Sequence, residues 1–328
     1  MNGSPTVSVV IPTYNRGRLL SQTLDSVLAQ TYRPIEVVVV DDGSTDGAGQ
    51  VVEEWARAHS NGVSDLSVRC CFQVHSGSAA ARNRGLAEAK GSYIQFFDSD
   101  DIMFPENLAA KAAILQKEAA VDFVACDYSR FVDDPRNAVE TVCLSSADHT
   151  LVNHVLYCVL TTHAPLYRRA ALERVGPWEE SLTRWDDLEF ASRVITEKLN
   201  GIWLDRVLYA VRDHGDSLTR MESPALWDSA LRACRFIEKT AESHGLSNKA
   251  FRDAMGRRLI NLAYELAMLG EAGRARAIFR EAWGGLSVGS KLIHGVYSAC
   301  ARLAGHRRMR RVASVIFMRM GMGVARKA

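Results

Sequence analysis

The first 126 residues alternate between short apolar runs and longer segments with helical periodicity. Val7–Ile11 and Glu36–Val40 are nearly continuous β-branched runs, which are typical of strands buried on both faces of a sheet. Between them, the apolar residues of segment 19–28 recur at helical spacing. Strands and helices that alternate through short loops predict an α/β fold with a mostly parallel sheet and helices on both faces. The predicted strands are 7–11, 36–40, 67–74, 93–97 and 121–126, with a helix over 47–59.

Three polar clusters follow three of these strands: Pro12–Asn15, Asp41–Asp46 and Asp98–Asp101. The carboxyl ends of parallel strands share one edge of the sheet, where ligands of α/β proteins bind, so we expect the clusters to converge there. The third cluster crowds three carboxylates, and a divalent cation would make that arrangement favourable. Mg²⁺ or Mn²⁺ suits such hard oxygen ligands. The alternative is a solvated acidic turn in which Asp101 caps the next helix.

From about residue 218 the pattern changes to helices alone. Segments 223–245, 249–270 and 271–285 have helical composition and are separated by breaks that contain glycine. We therefore predict an α/β domain over residues 1–218, followed by an α-helical C-terminal region over residues 219–328.

The charge of the C-terminal region is asymmetric. Nine of the 40 basic residues and none of the 38 acidic residues follow Glu281, so the balance is −7 up to that residue and +9 after it. Because apolar residues are interleaved with these charges, we interpret the basic tail as a surface for peripheral contact with an anionic membrane. The alternative is that it packs on the acidic part of the same chain. The net charge of +2 predicts no nucleic-acid partner.

Seven cysteines are scattered without C-x-x-C pairs, and their odd number favours reduced thiols. The N-terminus lacks a basic segment followed by an apolar one, and no apolar stretch reaches the roughly 20 residues that span a bilayer. These features predict a cytoplasmic protein, which the basic tail would bring to the inner face of the cell membrane.

Four segments, or blocks, of the chain are informative when they are taken together and in order. They are VSVVIPTYNR, VVVVDDGSTDG, GSAAARNRGLAEAKGSYIQFFDSDD and RWDDLEFASR. In this order, over residues 6–217, they resemble family 2 inverting glycosyltransferases with the GT-A fold, which makes 1–218 the expected catalytic domain. The resemblance implies metal-dependent transfer of a sugar from a nucleotide-diphosphate donor, most often a UDP-sugar, to a hydroxyl of a glycan or lipid-linked acceptor. The configuration of the anomeric carbon would invert in a single displacement. The implied biological role is polysaccharide biosynthesis of the cell envelope.

The first three blocks would hold the donor. By the resemblance, one member of the Asp41–Asp42 pair accepts the N3–H of uracil, and the Tyr14 ring packs on the base. Arg82 would pair with phosphate, and Asp98 would face the ribose. The alternatives are turn capping for the acidic pair and a place on a helix surface for Arg82. The implied donor-binding residues are Pro12, Thr13, Tyr14, Asn15, Asp41, Asp42, Arg82, Asn83, Asp98 and Ser99.

The resemblance assigns Asp100 and His214 to a site for Mn²⁺ or Mg²⁺, and it makes Asp187 the catalytic base. Asp186 stands where the family usually has Glu. The alternative for both acids of this pair is attraction to a helix N-terminus. Burial against Trp185 would raise the pKa of Asp187 and the helix N-terminus would lower it, so two opposing effects are expected.

Acceptor contacts are assigned to Trp178, Trp185 and Asp186. For the two tryptophans the alternative is packing of the loop in which they lie. His75 and His163 are interpreted as ordinary loop residues without a role in the site.

Three other function classes fit less well. A nucleotidyltransferase would usually need a glycine-rich, basic phosphate loop after the first strand, and IPTYNRG is poor in glycine. A dinucleotide-dependent oxidoreductase would need G-x-G-x-x-G at that place. A non-catalytic sugar-nucleotide-binding protein on the same fold is disfavoured because the acidic positions are intact.

Overall fold

The computed structural model describes residues 6–59, 65–214, 223–292, 294–295 and 325–327. Its first part alternates strands and helices as the sequence predicts, and the ends of these elements differ from the prediction by only a few residues. The elements are β1 (Val7–Thr13), α1 (Gly17–Leu28), β2 (Ile35–Asp41), α2 (Ala48–His59), β3 (Leu66–Phe72), α3 (Ser78–Glu88) and β4 (Tyr93–Phe96).

The second part of the α/β domain is less regular. The strand predicted at 121–126 overlaps the first half of a longer strand, and the short strands of this part lack the apolar runs that mark β1 and β2. The elements are β5 (Ile102–Met103), α4 (Asn107–Lys117), β6 (Phe123–Phe131), β7 (Glu140–Cys143), α5 (Leu151–Tyr157), β8 (Leu166–Arg168), α6 (Arg169–Val175), α7 (Asp186–Thr196), β9 (Gly201–Arg212) and, near the C-terminus, β10 (Ala325–Lys327).

The strands form one mixed sheet in the order β10–β7–β6–β8–β4–β1–β2–β3, with β9 beside β6 and β5 beside β9. Strands β1 to β4 are parallel to one another, as predicted. Strand β8 then lies antiparallel between β4 and β6. The carboxyl ends of β1, β2 and β4 therefore lie at one edge of the sheet.

β1 and β2 are buried along their whole length and end together, because their register pairs Thr13 with Asp41. The polar residues that follow them thus emerge side by side. Helix α3 packs closely on β1 through Gly85, where a Cβ atom would lie 2.3 Å from Val10 Cγ1. This close approach places Arg82, one turn earlier in α3, beside the strand ends.

The C-terminal region consists of α8 (Pro224–Ser243), α9 (Lys249–Met268) and α10 (Ala272–Gly285), at the three predicted segments. The side chains of Ser223 and Asn248 cap the N-termini of α8 and α9. The three helices form a second hydrophobic core, which also contains Leu151, Val155 and Leu188 of the α/β domain. The helical region is thus packed into the α/β domain through α5 and α7.

The predicted boundary at 218–219 and most of the basic tail lie outside the described residues, so both remain predictions. Among the helices that the structure describes, none is long and apolar enough to cross a membrane. The cysteines of the described ranges are free thiols, as expected.

Candidate active site

The loops after β1 and β2 are joined by hydrogen bonds. Asn15 has a left-handed backbone (φ 51°). Its Oδ1 accepts from Thr45 N at 2.8 Å, and its own N donates to Ser44 Oγ at 2.9 Å. Asp46 Oδ2 accepts from Gly17 N, at the start of α1, at 2.9 Å. The first two polar clusters therefore meet at the sheet edge.

Asp42 is almost completely buried and fastens the loop between β3 and α3. This role differs from the capping of its own turn, which the sequence suggests as the alternative for Asp42. The Oδ1 atom accepts from Gln73 Nε2 (2.7 Å) and Ser76 N (2.8 Å), and Oδ2 accepts from Gly77 N (2.8 Å) and lies 2.8 Å from His75 Nδ1.

An exposed pair of rings lies next to this loop. The Tyr14 ring, 43% exposed, stacks on the His75 imidazole with the ring centroids 4.0 Å apart. Asp41, in the neighbouring turn, accepts from Ser44 N at 2.8 Å through Oδ1. A flat ring pair at the sheet edge offers a surface on which a nucleobase can stack. Sequence reasoning missed His75, because a single His in a loop carries no periodic or motif signal.

Arg82 connects the strand-end carboxylates to helix α7. Its buried guanidinium donates to Asp98 Oδ1 at 3.0 Å through Nη2 and to Asp186 Oδ2 at 2.7 Å through Nη1. Its Cζ lies 4.6 Å from the Trp178 ring centroid. Burial opposes the positive charge, but the two carboxylates outweigh burial and raise the pKa of Arg82. The arginine expected to meet phosphate or solvent is thus paired within the protein.

His163 is a second cationic partner of this cluster. Its Nε2 lies 3.1 Å from Asp98 Oδ2 and 3.0 Å from Asp101 Oδ2. Burial disfavours the imidazolium, yet the two carboxylates raise the pKa of His163 well above its ordinary value. Burial likewise disfavours ionised Asp98, but His163 and Arg82 hold its pKa well below the ordinary value. His163 is therefore paired with two carboxylates of the acidic cluster, a contact that its interpretation as an ordinary loop residue does not include.

Two groups at this edge have ligands for a divalent cation. Asp98, Asp101 and His163 place their ligand atoms within 4.8 Å of one another. Asp100 and His214 form the other group, with Oδ2 and Nε2 2.9 Å apart. In the first group the Asp98 and Asp101 carboxylates are already paired with His163, and Asp98 is also paired with Arg82. In the second group the Asp100 side chain is 20% exposed, and a cation held there would take phosphate oxygens as its further ligands.

Asp187 is the second residue of α7 and lines a narrow, mostly apolar recess. Burial and the neighbouring charge of Asp186 raise the pKa of Asp187, and the hydrogen bond from Leu188 N opposes this only in part. The sequence predicts that burial raises the pKa of Asp187 and that the helix N-terminus lowers it, and burial is the larger of the two effects. The burying residue is not Trp185, which faces elsewhere. The recess is lined by Phe96, Thr161, Thr162, Tyr167, Trp178, Phe190 and Ala191.

Trp178 and Asn83 are part of the packing around the site. Trp178 is 2% exposed and stacks on Phe190 with the ring centroids 4.0 Å apart. Asn83 Nδ2 donates to Trp178 O at 2.9 Å and to Glu180 Oε1 at 2.8 Å, while its Oδ1 accepts from Trp178 N at 2.7 Å. The structure favours loop packing over acceptor contact for Trp178, and a bracing role over donor contact for Asn83.

The other predicted site residues are also enclosed. Pro12, Thr13 and Ser99 are buried where β1 and β4 end. Trp185 packs against the helical region. Asp186 is buried and accepts two hydrogen bonds, from Ser78 and Arg82, so its carboxylate is already paired within the protein.

A sequence model described as Glycosyl transferase family 2 matches residues 8–176, just over half of the chain. The uncharacterized glycosyltransferase EpsJ of Bacillus subtilis (strain 168) is 28% identical over 242 residues, which cover 70% of this chain and 67% of EpsJ.

Two solved structures are similar over most of the chain. S. aureus TarS 1–349 has a TM-score of 0.59 and 21% identity, over 85% of this chain and 87% of that chain, and it was also solved with UDP-GlcNAc. The mannosyltransferase PcManGT from Pyrobaculum calidifontis, in complex with GDP-Man and Mn²⁺, has a TM-score of 0.56 and 21% identity, over 93% of this chain and 82% of that chain. These similarities confirm the predicted GT-A fold with a helical C-terminal region.

Proposed function

Because this chain belongs to glycosyl transferase family 2 and is a glycosyltransferase, we propose that it takes the sugar from a nucleotide-diphosphate donor, a UDP-sugar, and inverts its configuration. The observation that carries this proposal is the position of Asp187. It is a carboxylate with a raised pKa, and Arg82 links its helix to the strand-end residues of the donor site. The complexes of TarS with UDP-GlcNAc and of PcManGT with GDP-Man support a nucleotide-sugar donor here.

The nucleotide would lie across the ends of β1 and β2. Tyr14 and His75 would stack on the base, and the turn of Asp41 and Asp42 would surround its edge. Asp98, whose side chain is 35% exposed although it is ion-paired, would face the ribose.

Asp100 and His214 would hold Mn²⁺ or Mg²⁺ together with the donor diphosphate. The Mn²⁺ of the PcManGT complex supports this assignment. When bound, such an ion neutralises the negative charge of the departing diphosphate. Arg16, whose Nε lies 3.4 Å from Asp100 Oδ2, brings a further positive charge to the same place.

Asp187 would act as the general base. The acceptor oxygen attacks the anomeric carbon from the face opposite the nucleotide, and the bond from that carbon to the diphosphate oxygen breaks. The hydroxyl proton passes to the Asp187 carboxylate. One displacement inverts the configuration, so no enzyme nucleophile is needed. The raised pKa favours this role, because a more basic carboxylate binds the proton more strongly.

The proposed acceptor is a hydroxyl of a glycan or of a lipid-linked molecule, and the proposed catalytic domain is 1–218. A lipid-linked acceptor would agree with membrane contact through the basic tail, where each basic residue near an anionic surface contributes about 1 kcal/mol. Flotation with liposomes measures this contact. Salt-sensitive binding to anionic vesicles alone would support it, and equal behaviour with anionic and neutral vesicles would exclude it.

Donor hydrolysis tests the reaction without a known acceptor, since water can replace the acceptor hydroxyl. The protein is incubated with Mn²⁺ and UDP-glucose, UDP-galactose, UDP-GlcNAc or GDP-mannose, and the released nucleotide is measured. Asp187→Asn should lower release by about 10²–10⁴-fold, as expected for loss of a general base. Asp186→Asn should cost much less. If Asp186→Asn abolishes release and Asp187→Asn does not, Asp186 is the base, and no release from any donor would contradict the proposal as a whole.

A further inference from the structure

We propose that helices α8 and α9 hold the catalytic base in place through a clamp formed by Trp227, Ser229 and Arg258. The clamp contacts residues 183–185, the end of the loop that leads into α7 and Asp187. The inference rests on the proposed role of Asp187 as the base. It gives the C-terminal helices a part in turnover, in addition to any role in attachment.

The loop ends in an unusual backbone conformation. Trp185, the residue before α7, has φ 62° and ψ 23°, in the left-handed region that residues other than glycine rarely adopt. A strained backbone of this kind persists only where surrounding contacts enforce it. Because the turn at Trp185 sets the direction of α7, it directs Asp186 toward Arg82 and Asp187 toward the recess.

Ser229 of α8 fixes the backbone just before this turn. Its buried hydroxyl accepts hydrogen bonds from Thr183 N at 2.8 Å and from Arg184 N at 3.0 Å. Arg184 is held a second time, because its Cζ lies 4.0 Å from the Trp227 ring centroid. Two consecutive amide groups of the loop are thus tied to one side chain of another helix.

The Trp185 side chain is held by both helices. Its ring meets Trp227 of α8 edge to face, with the centroids 6.2 Å apart and the planes at 82°. Arg258 Cζ of α9 lies 4.8 Å from the Trp185 ring centroid. Arg258 also donates to the carbonyl oxygens of Val155 and Leu156, so its guanidinium is anchored on α5 while it contacts the indole.

The first turn of α7 belongs to the same core as the clamp. Leu188, the residue after the base, is buried in the second core together with Trp227. His154 Nε2 lies 3.1 Å from Leu188 O. The strands that carry the donor loops belong instead to the first core. A loosened clamp should therefore displace the base and leave the donor site in place.

Three pairs of full-length variants test the clamp. Each clamp substitution has a matched control elsewhere in the helical region, where Trp283 stacks on Phe279, Ser290 donates to Asp253, and Arg235 pairs with Glu238 and Glu281. The pairs are Trp227→Leu with Trp283→Leu, Ser229→Ala with Ser290→Ala, and Arg258→Met with Arg235→Met.

The clamp variants should hydrolyse the donor with kcat lowered by about 10- to 100-fold, the size expected when a catalytic group moves by about 1 Å. Their affinity for UDP in the presence of Mn²⁺ should match that of the wild type, and the controls should keep both properties. Hydrogen exchange followed by mass spectrometry needs no activity. Amides of residues 183–190 should exchange faster in the clamp variants, with α10 unchanged. Trp227→Phe should keep much of the kcat that Trp227→Leu loses, because the phenylalanine ring keeps the edge contact with Trp185.

Clamp variants that behave like their controls would overturn the inference. So would a joint change in kcat, UDP affinity and exchange across α8 to α10, because that result marks a purely structural role. Asp187→Asn separates this inference from the proposed function. If Asp187→Asn hydrolyses the donor at the wild-type rate, the base assignment fails. If it is inactive while the clamp variants match their controls, the clamp alone fails.

Discussion

The donor side of the active site, formed by the loops after β1, β2 and β4, is built differently from the base side, formed by residues 183–188. On the donor side, loops of one sheet edge hold one another, as in the bond from Thr45 N to Asn15 Oδ1. On the base side, the loop is held by Ser229 and its neighbours on helices that come later in the chain. We therefore expect donor binding to depend on the sheet, and turnover to depend on the sheet and the helical region together.

Arg82 joins the two sides, because it bonds to Asp98 on one and to Asp186 on the other. The ion pairs run through the protein interior, where charges are screened less than at the surface. The relative position of donor and base is therefore set by Arg82 and its two carboxylate partners. Each of the following substitutions separates or tests the two sides.

The largest effect is expected on the donor side. Asp100→Ala removes the acidic partner of His214 and should abolish Mn²⁺-dependent hydrolysis. The loss should be at least about 10²-fold, since a metal ion supplies several kcal/mol of charge stabilisation. The fold should survive, because the Asp100 side chain is partly exposed. Hydrolysis with and without EDTA and a thermal unfolding curve measure the two outcomes. Asp133→Ala, in the exposed turn after β6, is the control, and wild-type activity of Asp100→Ala in chelator would contradict the metal site.

The next largest effect is expected for Arg82, which connects the donor side to the base side. Arg82→Met leaves Asp98 and Asp186 without their shared partner, so the free energy of unfolding should fall by about 3–5 kcal/mol, as for other broken buried ion pairs. Urea unfolding followed by circular dichroism measures the loss. Arg84→Met is the matched control two residues away, where an exposed pair with Glu88 should cost less than about 1 kcal/mol. Equal losses in the two variants would mean that Arg82 does not join the two sides.

A smaller effect is expected for Asn83, and it tests whether this residue braces the packing around Trp178 or contacts the donor. Asn83→Ala removes its bonds to Trp178 and Glu180, and the free energy of unfolding should fall by about 1–3 kcal/mol because the backbone N–H and C=O of Trp178 lose their partner. UDP affinity should stay at the wild-type level, as measured by calorimetry. A variant with wild-type stability and weaker UDP binding would show that Asn83 contacts the donor, as the family resemblance implies.

The smallest effect is a shift in the pH dependence of kcat. The carboxylate of Asp187 is the form that accepts a proton, so turnover should fall as the pH drops through its raised pKa. Asp186→Asn removes one cause of that rise and should move the acid limb of kcat to lower pH, with little change on the plateau. The substituted amide oxygen can still accept from Arg82 and Ser78. An unchanged acid limb would show that the limb does not report Asp187.

The donor side was the easier side to predict. Strands β1 and β2 are buried along their length and therefore appear in the sequence as continuous apolar runs, and parallel topology brings their ends together. On the base side, Asp187 was assigned from motif order, but its surroundings were not predicted. Trp185 turned out to face the helical region, and the residues that bury Asp187 come from four different parts of the chain. Strands β7 and β8 escaped prediction because they are short and lack an apolar run.

The sequence by itself determined the alternation of strands and helices, the three helices of the C-terminal region and the order of the family blocks, because these are properties of local periodicity and of motif order. Only the tertiary structure decided which partner each polar residue takes. It paired Arg82 with two carboxylates, placed His163 between Asp98 and Asp101, and attached Trp185 to α8 and α9. The physical reason is that ion pairing and burial depend on groups brought together from distant parts of the chain, and no local pattern records those meetings.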